Sequence, residues 1–495
     1  MSGLKKNVVS GLIWTYGERI SAQLVSLLVS VILARLLLPK DYGVVTLVLV
    51  FINIANVFVS EGFGNSLIQK KDADHLDFSS MFWFSLLVSF VLYFIIFIAS
   101  PFIASYYKMP LLTPVMRVMA IKVPLASVNT IQKAYISRKM AFKKFFFSTI
   151  IGTVISAFVG IFLAYRNFGV WALVAQYLTN SAIDTIALSI TSGWKPSFEL
   201  SLARLRPLVS YGWRILAVGL MNSFYSNLRN LIIGKKYSDE DLAFSNKGEH
   251  FPALIAVNIN SSISHVLFPA ISSEQSNLKR VKSITQRAIK LGTFLLAPVL
   301  FGMAAVSNEL VKVLLTEKWM PCVPYLQIMC VVYTLQPIQT AGIQAMKALG
   351  KSRLYLNLEI IKKIGGLIIL AAAVFGFNSV LIIVFSALIA EIYSTIINLF
   401  PISKLINYPV KEQIKDAGIP LFLSFLMYIS VSALRIAMLG RLNSLLLLLI
   451  IEVAAGSAVY IIASKLVKID SLVYIYNSLI EIKNKNRSEK NDSAY

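Results

Sequence analysis

The amino-acid sequence predicts an all-α polytopic membrane protein with about 14 transmembrane helices. Three observations predict this class. Of 495 residues, 57% are hydrophobic and 14% charged, and the mean hydropathy is +0.71, whereas soluble globular chains have roughly 45–50% apolar and about 25% charged residues. Apolar runs of about 20 residues, long enough to cross a bilayer, recur along the chain. Lys and Arg concentrate in every second connection between those runs.

The apolar runs place the predicted spans in order along the chain. They lie at about 11–37, 42–64, 79–100, 113–134, 148–165, 170–191, 208–233, 242–268, 286–306, 322–345, 358–376, 379–401, 417–436 and 442–463. The first run follows Lys5 and Lys6 as in a signal peptide, but Glu18, Arg19 and Gln23 interrupt its apolar core. We therefore expect it to remain in the mature protein as a membrane helix.

The basic residues predict that both termini are cytoplasmic. With the N-terminus inside, the inner connections and the tail carry about 31 Lys and Arg, and the outer connections carry about nine. Topology and contact with anionic membrane lipids thus account for most of the net charge of +23. Nucleic acid is not expected as a partner.

Two correspondences predict an internal duplication. Tyr16-Gly17-Glu18-Arg19 on the first span is repeated as Tyr211-Gly212-Trp213-Arg214 on the seventh, and an acid lies 15 residues after a glycine on the sixth and twelfth, from Gly169 to Asp184 and from Gly376 to Glu391. The repeat is parallel, because six helices return the chain to the same side. The predicted domains are two six-helix lobes, 1–195 and 196–407, two additional helices, 408–465, and a cytoplasmic tail, 466–495.

Polar residues concentrate on the opening two helices of each predicted half. Thr15, Arg19, Gln23, Ser26 and Ser30 share one helical face. Single Ser, Thr or Asn side chains often only join membrane helices, but stripes that contain Arg, Lys and Glu favour an aqueous cavity. The candidate cavity residues are Arg19, Asn53, Asn56, Glu61, Arg117, Lys122, Arg214, Asn222, Arg229, Lys247 and His250.

The charge balance of these stripes predicts an anionic substrate. The cations outnumber the acids Glu18, Glu61 and Glu249, and the guanidinium fork of Arg matches phosphate oxygens. Arg117 and Lys122 have an alternative role as helix-end residues that reach the membrane surface. A phosphate-bearing substrate therefore fits this set of residues.

Four acids are candidates for ion coupling: Glu18, Glu249, Asp184 and Glu391. Asp184 and Glu391 lie mid-helix without a cation nearby in sequence, so they are candidate proton sites. A hydrogen bond that pairs two helices explains them equally well. Cys322 and Cys330 lack the spacing of a metal or redox site, and no metal or cofactor is expected.

Four segments resemble the Wzx-type polysaccharide flippases, a branch of the multidrug, oligosaccharidyl-lipid and polysaccharide exporter superfamily. They are Ala34-Arg35-Leu36-Leu37-Leu38-Pro39-Lys40-Asp41-Tyr42-Gly43, Glu61-Gly62-Phe63-Gly64-Asn65-Ser66-Leu67-Ile68-Gln69, Phe168-Gly169-Val170-Trp171-Ala172-Leu173 and Glu317-Lys318-Trp319-Met320-Pro321. The resemblance covers about residues 4 to 465. It implies a V of two six-helix lobes around a central cavity, in a bacterial inner membrane.

The resemblance also implies a substrate and partners. The substrate is an undecaprenyl-pyrophosphate-linked oligosaccharide, moved to the periplasmic leaflet for the synthesis of O-antigen, capsule or exopolysaccharide. The partners in the pathway are a polysaccharide polymerase and glycosyltransferases. The related lipid II flippases have an Ala-Glu-Gly segment that Ser60-Glu61-Gly62 resembles and arginines on the first helix, where Arg19 lies. Two extra helices form a lipid-tail groove in those relatives, and the last two spans resemble them.

Two alternatives remain open at the level of the sequence. A cation-coupled multidrug exporter of the same superfamily needs an acidic cavity, which the charge balance disfavours. A membrane glycosyltransferase or polysaccharide polymerase needs an acidic pair or a large external loop, and the acidic run Asp239-Glu240-Asp241 is interpreted as a solvated loop. The favoured prediction is a transporter that makes and breaks no bond.

Overall fold

The computed structural model describes residues 21–70, 72–139, 141, 143–438 and 444–474. It does not describe the side chains of Glu61, Gly62, Asn65, Lys143, Tyr211 and Arg214. Regular secondary structure in the described residues is entirely helical. The chain forms two compact units, Met1–Phe244 and Ser245–Tyr495. The lobes predicted from the internal repeat, with their boundary at 195, stay a prediction.

The first unit contains nine helices in its described residues, followed by the start of the tenth. They are α1 (Ser21–Leu36), α2 (Pro39–Val59), α3 (Asn65–Gln69), α4 (His75–Tyr107), α5 (Leu112–Met119), α6 (Lys122–Arg138), α7 (Lys143–Tyr165), α8 (Val170–Ser192), α9 (Leu202–Lys236) and α10 (Asp239–Ser273). A π-helical segment, Ser60–Gly64, joins α2 to α3.

The second unit contains the rest of α10 and eight further α-helices in its described residues. They are α11 (Leu278–Ala305), α12 (Ser307–Leu314), α13 (Val323–Thr334), α14 (Gln336–Ala348), α15 (Ser352–Gly376), α16 (Val380–Leu405), α17 (Val410–Met438) and α18 (Leu445–Leu466), with a 3-10 segment at Glu317–Cys322. The additional helices α17 and α18 pack against each other, and α17 packs along α11.

Every predicted span overlaps a helix, but two predicted spans are interrupted. The fourth is divided into α5 and α6, and the tenth into α13 and α14. Pro124 and Pro337 lie in the first turn of α6 and α14, and a proline ring clashes with the carbonyl four residues earlier, which favours a break before each of these helices. The interruptions fall at equivalent places of the two predicted halves. By length and apolarity, eight helices of the described chain can each cross a membrane, and the total of about 14 stays a prediction.

The two predicted halves also share a helix start. At α2 the backbone N–H of Leu38 donates to Asp41 Oδ2 at 3.1 Å, and at α10 the backbone N–H of Ser238 donates to Asp241 Oδ2 at 3.3 Å. Both aspartates satisfy an unpaired donor at a helix N-terminus. The prediction that Asp239-Glu240-Asp241 is a solvated loop is therefore wrong, because the run forms the first turn of α10.

The starts of α2 and α10 lie against each other because residue 43 is glycine. A Cβ at Gly43 would be 1.9 Å from the carbonyl oxygen of Asp239. A separate contact joins α2 to α8, since a Cβ at Gly169 would be 3.5 Å from Asp41 Oδ1. Gly169 itself has φ +54°, which L side chains rarely adopt. Two of the segments that carry the family resemblance thus meet in space.

The connection between α8 and α9 is packed along α4. Trp194 is 4% exposed among aromatic side chains of α4 and α6. The Trp83 indole donates to the carbonyl of Ser197 at 2.8 Å, and the backbone N–H of Ser201 donates to Ser80 Oγ at 2.9 Å. The link between the two predicted halves is therefore a structured part of the first unit.

Candidate functional site

Four of the predicted site residues are not described or are described only by their backbone. Glu18 and Arg19 lie outside the described residues. Glu61 lies in the π-helical segment and Arg214 on α9, and neither side chain is described. Their proposed roles stay predictions.

The π-helical segment is a tight contact between α2 and α6. Phe63 is 5% exposed, and a Cβ at Gly64 would be 2.8 Å from Thr130 Cγ2. The Ser60 hydroxyl donates back to the carbonyl of Asn56 at 2.8 Å. Short π-helical stretches occur frequently at functional sites, and this one contains the Ser60-Glu61-Gly62 sequence that resembles the lipid II flippases.

Asp184 of α8 is held by two neighbouring helices of the first unit, α6 and α7. Its carboxylate accepts hydrogen bonds from Asn129 Nδ2 of α6 at 3.3 Å and from the Ser148 hydroxyl of α7. Lys133 Nζ lies 3.2 Å from Asp184 Oδ2. No cation lies near Asp184 in sequence, and Lys133 approaches it from a different helix. The carboxylate therefore joins α6, α7 and α8.

Glu391 makes an equivalent contact in the second unit. Its carboxylate accepts from Gln339 Nε2 of α14 at 2.7 Å. The same amide donates to Thr395 Oγ1 at 3.2 Å, and Asn398 Nδ2 donates to Gln339 Oε1 at 3.3 Å. In both halves, an acid on the sixth predicted span thus accepts from an amide on the second part of the interrupted fourth. This repeated contact was not visible in the sequence, because Asn129 and Gln339 have no shared motif around them.

The predicted cations of α5 and α6 lie against aromatic rings and carbonyls. Arg117 Nε donates to the Ser100 hydroxyl at 3.1 Å and to the carbonyl of Phe97 at 3.3 Å, and its guanidinium lies 4.3 Å from the Phe97 ring centroid. Lys122 Nζ lies 4.7 Å from the ring centroid of Tyr177 on α8. Such cation–π contacts stabilise a charge away from bulk water. Arg117 therefore joins α5 to α4, and Lys122 contacts α8 through the Tyr177 ring.

Lys247 is the most buried of the predicted cations in the described residues. It is 5% exposed and its Nζ lies 5.5 Å from the ring of Trp319, a fully buried residue of the 3-10 segment. The neighbouring Gly248 allows this close packing, because a Cβ there would be 2.8 Å from the backbone nitrogen of Leu326. Glu249 accepts from the Tyr333 hydroxyl at 2.8 Å, and His250 is exposed.

The remaining predicted residues lie on α2 and α9, which pack against each other. Asn53 and Asn222 are exposed, while Asn56 and Arg229 are half-buried. The carbonyl of Asn222 accepts from the Ser226 hydroxyl. Polar residues thus follow both helices of this pair.

Connections that were predicted for the inner side meet in space. In the first unit Lys70 Nζ lies 2.6 Å from Asp77 Oδ1, and the Arg204 guanidinium lies 3.4 Å from Asp74. The backbone N–H of Asp77 donates to Asp74, and this hydrogen bond, with Arg204 beside it, lowers the pKa of the Asp74 carboxyl. The carboxylate therefore stays ionised as the N-cap of α4.

The second unit has a comparable ionic cluster at the ends of α11 and α17. Lys290 Nζ lies 3.3 Å from Asp416 and 3.4 Å from Asp470, and the Tyr408 hydroxyl donates to Asp416 at 2.6 Å. Burial and this hydrogen bond raise the pKa of the Tyr408 phenol. Two adjacent cavities of about 490 and 370 Å³ share Lys290 and Asp470 in their lining. Of this cluster, only Lys290 was counted from the sequence, among the Lys and Arg of the inner connections.

The polysaccharide biosynthesis protein family matches residues 32–324. This chain belongs to that family. The match includes all four resemblance segments, and it confirms the family that those segments indicated.

Two relatives of this family member are proteins of bacterial polysaccharide synthesis. The chain is 23% identical over 450 residues to the lipopolysaccharide biosynthesis protein WzxC of Escherichia coli (strain K12), covering 89% of this chain and 90% of that protein. It is 23% identical over 288 residues to the succinoglycan biosynthesis transport protein ExoT of Rhizobium meliloti (strain 1021), covering 58% of each.

The fold of this family member is that of two groups of solved transporters. The lipid II flippase MurJ in an inward closed conformation matches with a TM-score of 0.74 and 13% identity, covering 95% of this chain and 100% of that chain. A multidrug resistance MATE family transporter in an inward-facing conformation matches with a TM-score of 0.60 and 16% identity, covering 78% and 95%. The predicted all-α membrane fold is confirmed.

Proposed function

We propose that the protein translocates an undecaprenyl-pyrophosphate-linked oligosaccharide from the cytoplasmic to the outer leaflet of the bacterial inner membrane. The family match over residues 32–324 carries this proposal. A relative named as a succinoglycan biosynthesis transport protein supports transport rather than bond formation. The oligosaccharide would come from glycosyltransferases and pass to a polysaccharide polymerase.

Cations on the opening helices of each half would hold the pyrophosphate. Lys247 supports this role, because it lies on an opening helix of the second predicted half and its side chain is 5% exposed against the Trp319 ring, which leaves its ammonium group away from bulk water. Arg19, Arg214 and Arg229 would add guanidinium groups, which bind phosphate oxygens in pairs. The sugars would contact the polar residues of α2 and α9, while the prenyl chain stays in lipid.

The decisive experiment is complementation in a host that lacks its own copy of the gene. Arg229→Ala and Lys247→Ala each remove one phosphate contact, and a charged hydrogen bond contributes about 1.5–3 kcal/mol. We expect surface polysaccharide to fall roughly 10- to 100-fold, with lipid-linked repeat units accumulating in the cytoplasmic leaflet. Arg19→Ala and Arg214→Ala are expected to behave in the same way.

The matched control is Arg166→Ala. Arg166 is an exposed cation whose guanidinium lies 5.4 Å from the Phe162 ring centroid, outside the predicted cavity residues, so its loss is expected to leave transport unchanged. Normal polysaccharide in all four cavity variants, at equal membrane levels of protein, contradicts the proposal that these cations bind the pyrophosphate. A drug-resistance phenotype without any effect on polysaccharide favours the exporter and contradicts the proposed function.

A further inference from the structure

Three ionisable side chains meet among the last helices of the second unit. Glu309 lies in the first turn of α12, Arg435 in the last turn of α17, and Glu452 on α18. Arg435 Nε lies 2.8 Å from Glu309 Oε1. The helices of Glu309 and Arg435 both pack against α18, and these two side chains act electrostatically on Glu452. None of the three is part of the site proposed above.

Both carboxylates are buried and incompletely hydrogen-bonded. Glu452 is 0% exposed and Glu309 4% exposed. Within the described part of the chain, neither oxygen of Glu452 has a hydrogen-bond partner, and Glu309 Oε2 also has none. A buried ionised carboxylate without a donor is among the most costly groups in a protein. Glu452 therefore needs a ligand that α12, α17 and α18 do not supply.

The charge count of this cluster identifies the ligand. A guanidinium group is always protonated, so Arg435 balances one carboxylate and leaves the second unbalanced. Lys312 of α12 is engaged with Glu317 at 3.3 Å. The charged residues of α11 all lie between 279 and 290, in its first half, and the only other charged residue of α18 is Lys465, near its end. Among the described residues, one positive charge is missing from the cluster.

We propose that Glu309, Arg435 and Glu452 form a proton-binding site in which Glu452 takes up the proton. The proton comes from water and adds to a carboxylate oxygen, so no other bond changes. A protonated Glu452 carries a hydrogen-bond donor, and Glu309 Oε2 is an acceptor that lacks one. Two carboxyl groups that share one proton are a recurrent solution for acids that cannot both ionise.

Proton uptake at this site changes the packing of the additional helices. With the proton bound, α18 is joined to α12 through Glu452 and Glu309; without it, the two carboxylates repel each other. The consequence of proton binding for transport rests on the proposed function. If the protein flips its substrate, proton uptake by Glu452 makes flipping sensitive to a proton gradient. The binding of the proton itself needs no substrate.

The test is infrared difference spectroscopy of the purified full-length protein in lipid nanodiscs, recorded without substrate as pH is raised. We expect a carboxylic-acid carbonyl band from Glu452 that disappears at high pH. Glu452→Gln removes this band, while Glu240→Gln, which changes an exposed acid in the first turn of α10, preserves it. A full band in the Glu452→Gln protein overturns the proposal.

A second variant keeps the proposal testable if Glu452→Gln does not fold. Glu309→Gln removes the neighbouring negative charge, so Arg435 acts on Glu452 without a competing carboxylate and favours its ionised form. The band is therefore expected to disappear at lower pH than in the unmodified protein. An unchanged titration in this variant overturns the proposal, as does loss of the band on adding sodium chloride at constant pH. Failure of complementation leaves these spectra unaffected, so the two proposals can fail separately.

Discussion

At the scale of single residues, the two membrane acids Asp184 and Glu391 share a structural contact. Each accepts a hydrogen bond from an amide on the second part of an interrupted helix. The sequence left two explanations for these acids, a proton site and a helix-pairing hydrogen bond. The contacts favour helix pairing for Asp184, which has Asn129, Ser148 and Lys133 around it.

Removing the Asp184 carboxylate is therefore expected to lower stability. Asp184→Ala leaves Asn129 and Lys133 of α6 without their acceptor, at a cost of about 1–3 kcal/mol. Asp184→Asn retains one acceptor oxygen and costs less. The measurement is the Tm of the purified protein in detergent, with Glu199→Ala, an exposed acid of the α8–α9 connection, as the control. Wild-type stability in both Asp184 variants together with abolished transport would instead show an ion-coupling role.

Some residues of the site could not be predicted because their partners are distant in sequence. Glu452 follows a run of eight residues, 444–451, that is almost wholly apolar. Like Asp184 and Glu391, it is an acid within a predicted membrane span. Its environment is supplied by Glu309 and Arg435, which lie 143 and 17 residues earlier. Arg435 was counted from the sequence only among the Lys and Arg of the outer connections. Only the packing of α12 and α17 against α18 shows that the three form one cluster.

At the scale of elements, the apolar runs of the sequence predicted where the helices lie. They did not predict where two of the spans are interrupted. A 20-residue apolar window detects the span but averages over a local break. The breaks before α6 and α14 depend on Pro124 and Pro337, yet Pro101 lies within the continuous helix α4. A proline alone therefore does not decide whether a membrane helix continues, because neighbouring side chains can satisfy the freed carbonyl. Only the structure shows that the two breaks lie at equivalent places, in the fourth span of each predicted half.

The close approach of α2 and α10 gives a prediction for this scale. Gly43→Ala places a Cβ 1.9 Å from the carbonyl oxygen of Asp239, so the start of one helix must move. We expect reduced expression and a Tm lower by several degrees. The control is Gly418→Ala on α17, whose added Cβ meets no atom within 4 Å; it is expected to be neutral or to stabilise by about 0.5–1 kcal/mol. Equal stability of the two variants would contradict the packing of α2 against α10.

At the scale of the whole molecule, the predicted duplication has counterparts among the contacts of the structure. The aspartate of the α2 and α10 starts, the interrupted fourth and tenth spans, and the acid–amide pairs all recur about 200 residues apart. Each correspondence uses different residue types around the shared group, which explains why the sequence showed only fragments of the repeat. Two parallel six-helix lobes followed by two helices remain the organisation that these correspondences favour.

The orientation of the chain follows from the same organisation and can be measured. The predicted six helices in each half and two more would return both ends to one side, and the excess of Lys and Arg predicts that this side is the cytoplasm. Alkaline phosphatase fused after residue 168 or 377 is expected to be active, because these connections lie outside, and after residue 197, 276 or 350 it is expected to be inactive. Green fluorescent protein fused at each inner position is the reciprocal control and should fluoresce. Connections predicted for one side already meet in space, as Arg204 with Asp74 and Lys282 with Glu412 show. Activity on the same side for fusions after 168 and 197 would mean that α8 does not cross, and the count of six helices in the first half would then be wrong.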